Sequence, residues 1–288
     1  MRFYFAILCG LSLLACGATI SSAANINDFI DFSSPSLPGR LYVPPEAATG
    51  PRPLIVFLHG SGEVGSDNQV QVTGQNINNL LLAAKTRGAY LYAPQTSTGW
   101  SSTTVMDRVM GMIDQAIVNE NVDNRRLYAT GLSLGGGGTW NLINRHSDRF
   151  AAAVPICAVG PTWGYSPANL AQVPTWAFHA RNDMTVPSTE TRNVVASMLA
   201  TTGEAPPVYP EAPRTDFLFQ STTLDLRYTE YRAGGHVIWG KVFFTAAMQE
   251  WMFSHALVPE PSAGVLMLLT GLGLVGAGRL SRARRRSA

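Results

Sequence analysis

Strand-like and helix-like stretches alternate along most of this 288-residue chain, which predicts an α/β domain with a mostly parallel central sheet flanked by helices. Three observations carry that prediction. Runs such as Pro53-Leu54-Ile55-Val56-Phe57-Leu58 are almost continuously apolar, as expected of strands covered on both faces of a parallel sheet. Between the runs lie stretches with helical spacing, clearest over Thr104–Asn119, where Val105, Val109, Met112, Ile113 and Ala116 share one face. Finally, Arg126–Thr130 reads as a strand, Thr139–His146 as a helix, and only the glycine-dense segment from Gly131 to Gly138 separates them.

Taken in order, residues 25–38 are polar and turn-rich, a leading segment before a short strand at Arg40–Val43 that Pro44-Pro45 closes. The strand Pro53–Leu58 runs into His59-Gly60-Ser61-Gly62-Glu63-Val64-Gly65. Gln75–Arg87 reads as a helix and Ala89–Ala93 as the next strand. Past the central strand and helix come a buried strand at Phe150–Cys157, an aromatic loop at Trp163-Gly164-Tyr165, a strand at Val173–His179 and a helix at Ser188–Ala200. The proline-rich stretch Thr202–Thr223 reads as a surface excursion. A strand at Leu224–Tyr231 and a last helix at Lys241–Ser254 complete the body.

The ends differ from this body. Met1-Arg2 followed by an apolar run to Ala15, then Ser22-Ala23-Ala24, has the form of a secretory leader cleaved before Asn25. Leu13-Leu14-Ala15-Cys16 also has the form of a lipobox, so a lipidated Cys16 stays open. From Val258 the chain passes through Pro259-Glu260-Pro261, an apolar run over 263–278 and a cluster of arginines. Sixteen residues reach about 24 Å as a helix, short of a bilayer core of roughly 30 Å. The division is therefore a leader at 1–24, an α/β body at 25–257 and a tail at 258–288. The tail resembles the PEP-CTERM sorting signal of Gram-negative bacteria, which has the same three parts in the same order. The resemblance implies transient membrane insertion through the tail, processing by an exosortase-type enzyme, and a destination at the cell surface or outside the cell. A permanent membrane anchor is the other reading.

Charge narrows the function. Setting aside Arg2, the five tail arginines and Glu260 leaves 15 Lys and Arg against 18 Asp and Glu, so the body has no excess of basic residues for nucleic acid. With the leader removed, Cys157 is the one remaining cysteine; set in the apolar run Ala151–Ile156, it reads as an inert buried thiol. Gly60, Gly62 and Gly65 match a dinucleotide-binding spacing, but that reading wants an acidic residue ending the next strand, and this one ends in Pro94-Gln95. No metal or cofactor is expected.

Gly131-Leu132-Ser133-Leu134-Gly135 between a strand and a helix has the spacing of a nucleophile elbow, whose sharp turn holds the central residue in a strained conformation. A plain glycine-rich turn is the alternative. The rest of the chain favours chemistry. Acyl transfer by serine needs a base, a carboxylate to hold the base and donors for the oxyanion. Ser133, Asp183 and His236 occur in the order nucleophile, acid, base, with Asp183 after a strand and His236 behind Gly234-Gly235. Asp216 and Asp225 are weaker candidates for the acid. Among the other histidines, His59 reads as a brace for its loop, His146 as a helix-terminal cation, His179 as structural and His255 as part of the closing helix. Leu134 and Ser61 are the expected backbone oxyanion donors. Trp100, Trp163 and Trp239, with Tyr165, fall in loops that either border a substrate pocket or cap the core.

His59-Gly60-Ser61-Gly62-Glu63, the elbow, Asp183 with Val186-Pro187, and Gly235-His236 with Trp239 together resemble the α/β-hydrolase esterases over about residues 40–254. The nearest groups are the phospholipase/carboxylesterase, dienelactone hydrolase, and feruloyl esterase or polyhydroxybutyrate depolymerase-like sets. The resemblance implies an α/β-hydrolase fold and a secreted or surface-sorted serine esterase acting on a small-molecule or polymer ester. His179-Ala180 and Arg181-Asn182 depart from the pattern before the acid, and the insertion from Gly203 to Pro213 stands to reshape the substrate mouth. A prolyl-oligopeptidase-type peptidase and a non-catalytic surface or matrix binding protein are the alternatives.

Overall fold

The computed structural model describes residues 24–160, 163–212 and 214–258. The leader up to Ala23, the lipobox and all of the tail beyond Val258 lie outside the described residues. Nine strands form one sheet: β1 (Ile30–Asp31), β2 (Gly39–Tyr42), β3 (Arg52–Leu58), β4 (Tyr90–Pro94), β5 (Val122–Leu132), β6 (Ala152–Ile156), β7 (Thr175–Ala180), β8 (Phe217–Gln220) and β9 (Leu226–Tyr231). The α-helices are α1 (Val70–Thr73), α2 (Asn78–Arg87), α3 (Thr103–Asn119), α4 (Leu134–Arg145), α5 (Pro167–Leu170), α6 (Thr189–Ala200), α7 (Trp239–Phe244) and α8 (Ala246–Ser254).

The strand order is β1-β2-β4-β3-β5-β6-β7-β9-β8. The six strands from β4 to β9 in that order run parallel, while β1, β2 and β8 pair antiparallel at the two edges. Alternation within β3 explains its unbroken apolar sequence. Leu54, Val56 and Leu58 enter a core shared with α3, α4 and α6, and Ile55 and Phe57 enter a second core with α2, α7 and α8. A strand covered on both sides has no polar face to show.

Several boundaries differ from the sequence reading. The predicted strand at Arg126–Thr130 is the middle of an eleven-residue β5, whose start carries the exposed Asn124 and Arg125 and so lacks an apolar signature. β8 lies inside the stretch read as a surface excursion; as an edge strand it alternates half-buried and exposed residues, a weak signal. The predicted last helix is two, broken at Thr245, where the backbone leaves helical values (φ −73°, ψ 109°). Residues 75–77 form a 3₁₀ turn before α2, which ends at Gly88 in the left-handed region (φ 59°). Among the described residues no helix is long and apolar enough to cross a membrane.

Candidate active site

Ser133 lies between the end of β5 and the start of α4 with φ 55° and ψ −117°, a strained combination for a residue with a side chain. The glycines around it are required by contact. A Cβ on Gly131 would stand 2.2 Å from the Gly135 carbonyl oxygen, and one on Gly135 would stand 1.9 Å from that of Leu58. The same holds for the run that follows, where added Cβ atoms would strike the Ile156 backbone, Val159 and Trp100. Glycines that cost helix propensity thus let α4 lie directly on β3 and the loop after β6. The turn is held from below by the Ser133 amide, which donates to the Ile156 carbonyl at 2.9 Å.

The parallel strands all end at this edge, so three distant segments meet. Asp183 follows β7, and His236 follows β9, the strand beside it. His236 Nε2 lies 2.8 Å from Ser133 Oγ, and His236 Nδ1 lies 2.7 Å from Asp183 Oδ2. The second carboxylate oxygen of Asp183 accepts the amides of Thr185 and Val186, each at 2.9 Å. Burial opposes the charge on Asp183, but hydrogen bonds from His179, His236 and these two amides outweigh it and hold the carboxyl far below the usual carboxylate range. The loops that carry Asp183 and His236 are also tied directly, since Asn182 Oδ1 accepts the Gly235 amide at 2.9 Å. Asp225 and Asp216 are engaged elsewhere, the first with His255 and the second with the Arg232 amide.

Leu134 is the first residue of α4, and Ser61 is the first residue of a 3₁₀ turn over Ser61–Glu63. The first amide of a helical turn has no acceptor within that turn, and neither of these two donates to a backbone acceptor elsewhere among the described residues. His59 supports the second turn. Its Nε2 accepts the Thr96 amide at 3.2 Å, which leaves the proton on Nδ1 to donate to the Gly60 carbonyl at 2.8 Å. Burial pushes its pKa down to about 4, consistent with a neutral ring. His146, expected as a cation, is also driven toward neutrality by burial.

A cleft of about 190 Å³ opens beside Ser133 and His236, walled by the Gly60–Glu63 turn, Asn76, Leu132 and Trp239. Trp239 stands edge-on to His236 and donates from Nε1 to Asn76 Oδ1 at 2.7 Å. Trp100 is a correction to the substrate-contact reading. It is fully buried, lies against Gly138, and donates from Nε1 to the His59 carbonyl, so it braces the loop from within. Trp163 is partly buried over Gly137, edge-on to Tyr165, whose hydroxyl donates to the Gly137 carbonyl.

Cys157 is fully buried with φ 45°, and its thiol, Asp183 and His236 each bring one ligand atom within 4.8 Å of the others. Such a set is dense enough for a metal, but the donors are wrong for one. Burial and the neighbouring Asp183 charge push the thiol well above its usual range, and Asp183 and His236 already hydrogen-bond each other. Sequence reasoning missed Asn76, Asn182 and the contact of His179 with Asp183, because none stands in a spacing that marks it.

This arrangement, on a parallel sheet with antiparallel edges, defines the α/β-hydrolase fold, and the solved structures it resembles share that fold. It is similar to a thermostable esterase structure with a TM-score of 0.65 and 29% identity, covering 81% of this chain and 64% of that one. It is also similar to the acetyl xylan esterase from Aspergillus awamori, with a TM-score of 0.52 and 15% identity, over 72% and 93% of the two chains, a likeness of fold alone. In sequence, it is 28% identical over 163 residues to the bifunctional acetylxylan esterase/xylanase XynS20E of Neocallimastix patriciarum, covering 55% of this chain. The chain spans 23% of that protein's length and 64% of the thermostable esterase's. No family model matches.

Proposed function

We propose that this chain is a carboxylic-ester hydrolase that acts through Ser133, His236 and Asp183. The observation that carries the proposal is the unbroken path Ser133 Oγ to His236 to Asp183, with contacts of 2.8 and 2.7 Å. The esterase likenesses support the choice of esters over other acyl compounds.

In this mechanism His236 Nε2 takes the Ser133 proton as Oγ attacks the acyl carbon. The charge that develops on the carbonyl oxygen is stabilised by the amides of Leu134 and Ser61, fixed before the substrate arrives. Asp183 keeps the Nδ1 proton of His236 in place and stabilises the imidazolium. His236 then gives its proton to the departing alkoxide, which leaves an ester of Ser133 and the acyl group. Water attacks that ester with the same imidazole as base, releasing the acid and restoring Ser133. The chemistry calls for no metal or cofactor.

Export and surface sorting belong to the same reading and rest on the sequence of residues 1–24 and 258–288. The partner they imply is an exosortase-type processing enzyme, with the membrane engaged through the tail. Mass spectrometry of the two termini of protein recovered from its native host tests them. The enzymatic reading is tested by assaying 4-nitrophenyl acyl esters beside peptide anilides, together with labelling of Ser133 by a fluorophosphonate. Ester turnover with labelling is the expected result. Preference for anilides would transfer the site to a peptidase, and absence of both turnover and labelling would leave a binding protein.

A further inference from the structure

Glu63 is a carboxylate placed in the wall of the catalytic cleft, and the triad mechanism leaves it without a role. Its residue is 93% buried, at 7% exposure, in the same short turn as Ser61. Asn76 Nδ2 donates to one carboxylate oxygen, Oε1. The other, Oε2, has no donor among the described residues, and lies 3.2 Å from where a Cβ on Gly60 would stand. Asn76 is held in this orientation by Trp239, whose Nε1 donates to its oxygen at 2.7 Å. A carboxylate oxygen with an unused lone pair, on a largely buried side chain in the wall of an open cleft, is an acceptor that a donor in the cleft can reach.

The side of the substrate follows from the mechanism. His236 must hand its proton to the leaving alkoxide, so the alcohol lies on the imidazole side of Ser133. The cleft that Glu63 borders is closed on that side by Trp239, whose ring centroid is 5.7 Å from that of His236. Resting on the esterase reading above, we propose that Glu63 sets specificity for the leaving alcohol. It favours alcohols that carry a cationic or hydroxyl group near the ester and rejects those that carry an anion. A hydroxyl donates to Oε2, a cation is drawn by the carboxylate's charge, and Trp239 adds an aromatic wall that suits a cation. An anion meets a like charge there, and the expected discrimination is about tenfold or more.

The test uses four acetates, followed by acid release with the intact protein: acetylcholine, the neutral 3,3-dimethylbutyl acetate and 2-acetoxyethanesulfonate, which match in size, and the smaller 2-hydroxyethyl acetate. The expected kcat/KM order places acetylcholine and 2-hydroxyethyl acetate above the neutral ester and the sulfonate at least about tenfold below it. In Glu63→Gln the spread between cationic and anionic esters collapses toward unity, whatever the change in absolute rate. The wild-type ranking stands on its own should that variant fold poorly. Equal rates for the four esters in the wild type, or a ranking that survives in Glu63→Gln, would overturn the proposal. Inactivity toward all four would instead remove the esterase reading beneath it, and fluorophosphonate labelling of Ser133 separates those two failures.

Discussion

Nε2 of His179 lies 3.2 Å from Asp183 Oδ2, the same oxygen that His236 Nδ1 contacts at 2.7 Å. His179 is wholly buried, its Nδ1 meets Thr191 Oγ1 at 2.8 Å, and its Nε2 proton is shared with the Val186 carbonyl at 2.8 Å. The Asp183 carboxylate is therefore gripped from both sides, by a buried histidine and by one that reaches toward Ser133.

Replacing His179 should consequently act through Asp183. His179→Phe removes a hydrogen bond that favours the charged carboxylate, so the Asp183 pKa rises, and kcat for ester hydrolysis falls more than KM changes. Loss of a hydrogen bond to a charged buried group costs stability of about 1.5–3 kcal/mol. Chemical denaturation and the acid limb of the rate profile measure the two effects. A variant with an unaltered acid limb would reduce His179 to packing.

Asp183 also governs acid stability. Its folded pKa is depressed, so its contribution to stability is complete above the unfolded value of about 3.9 and is lost as pH falls through the folded one. Below pH 4 the midpoint of unfolding should therefore drop steeply in the wild type and less steeply in Asp183→Asn.

His59 sets a second window. With a folded pKa of about 4 against an unperturbed 6.5, the unfolded chain binds the extra proton between those values. Stability is then full above pH 6.5 and declines as pH falls toward 4, by up to about 3 kcal/mol. Denaturation midpoints at pH 7 and pH 4.5 measure the slope, which should flatten in His59→Gln.

On the proposed mechanism, Ser133→Ala should lower ester turnover by about 10⁴-fold or more while keeping the fold. Ser133→Gly should be equally inactive yet more stable than the alanine variant, by about 1 kcal/mol or more, because glycine relieves the backbone strain at φ 55°. Equal melting temperatures for the two variants would argue that the turn stores no strain.

Gly135→Ala puts a methyl 1.9 Å from the Leu58 carbonyl oxygen, with backbone on both sides. Overpacking of this kind costs about 3 kcal/mol or more, and loss of soluble folded protein is the expected readout.

The elements legible in the sequence were those with a repeating signature. β3 announced itself by an apolar run, α3 by one clean face, and Ser133, Asp183 and His236 by their order and their places after strands. β8 was lost because an edge strand of four residues alternates too briefly, and the break at Thr245 because threonine is not a helix breaker in itself. Trp100 misled because a loop position says nothing of whether the ring points outward, and here it turns in toward the His59 carbonyl. The contact of His179 with Asp183 is not legible, because the two lie four residues apart along a turn, where no periodic rule applies.

The glycine run of α4 has a practical corollary for anyone wishing to redesign this protein. With methyl-sized gaps missing all along Gly135–Gly138, the platform beneath the nucleophile can be neither thickened nor slid sideways. Libraries aimed at new ester preferences are better spent on residues 61–63, Asn76 and Trp239, where the walls face open volume and a changed side chain has somewhere to go.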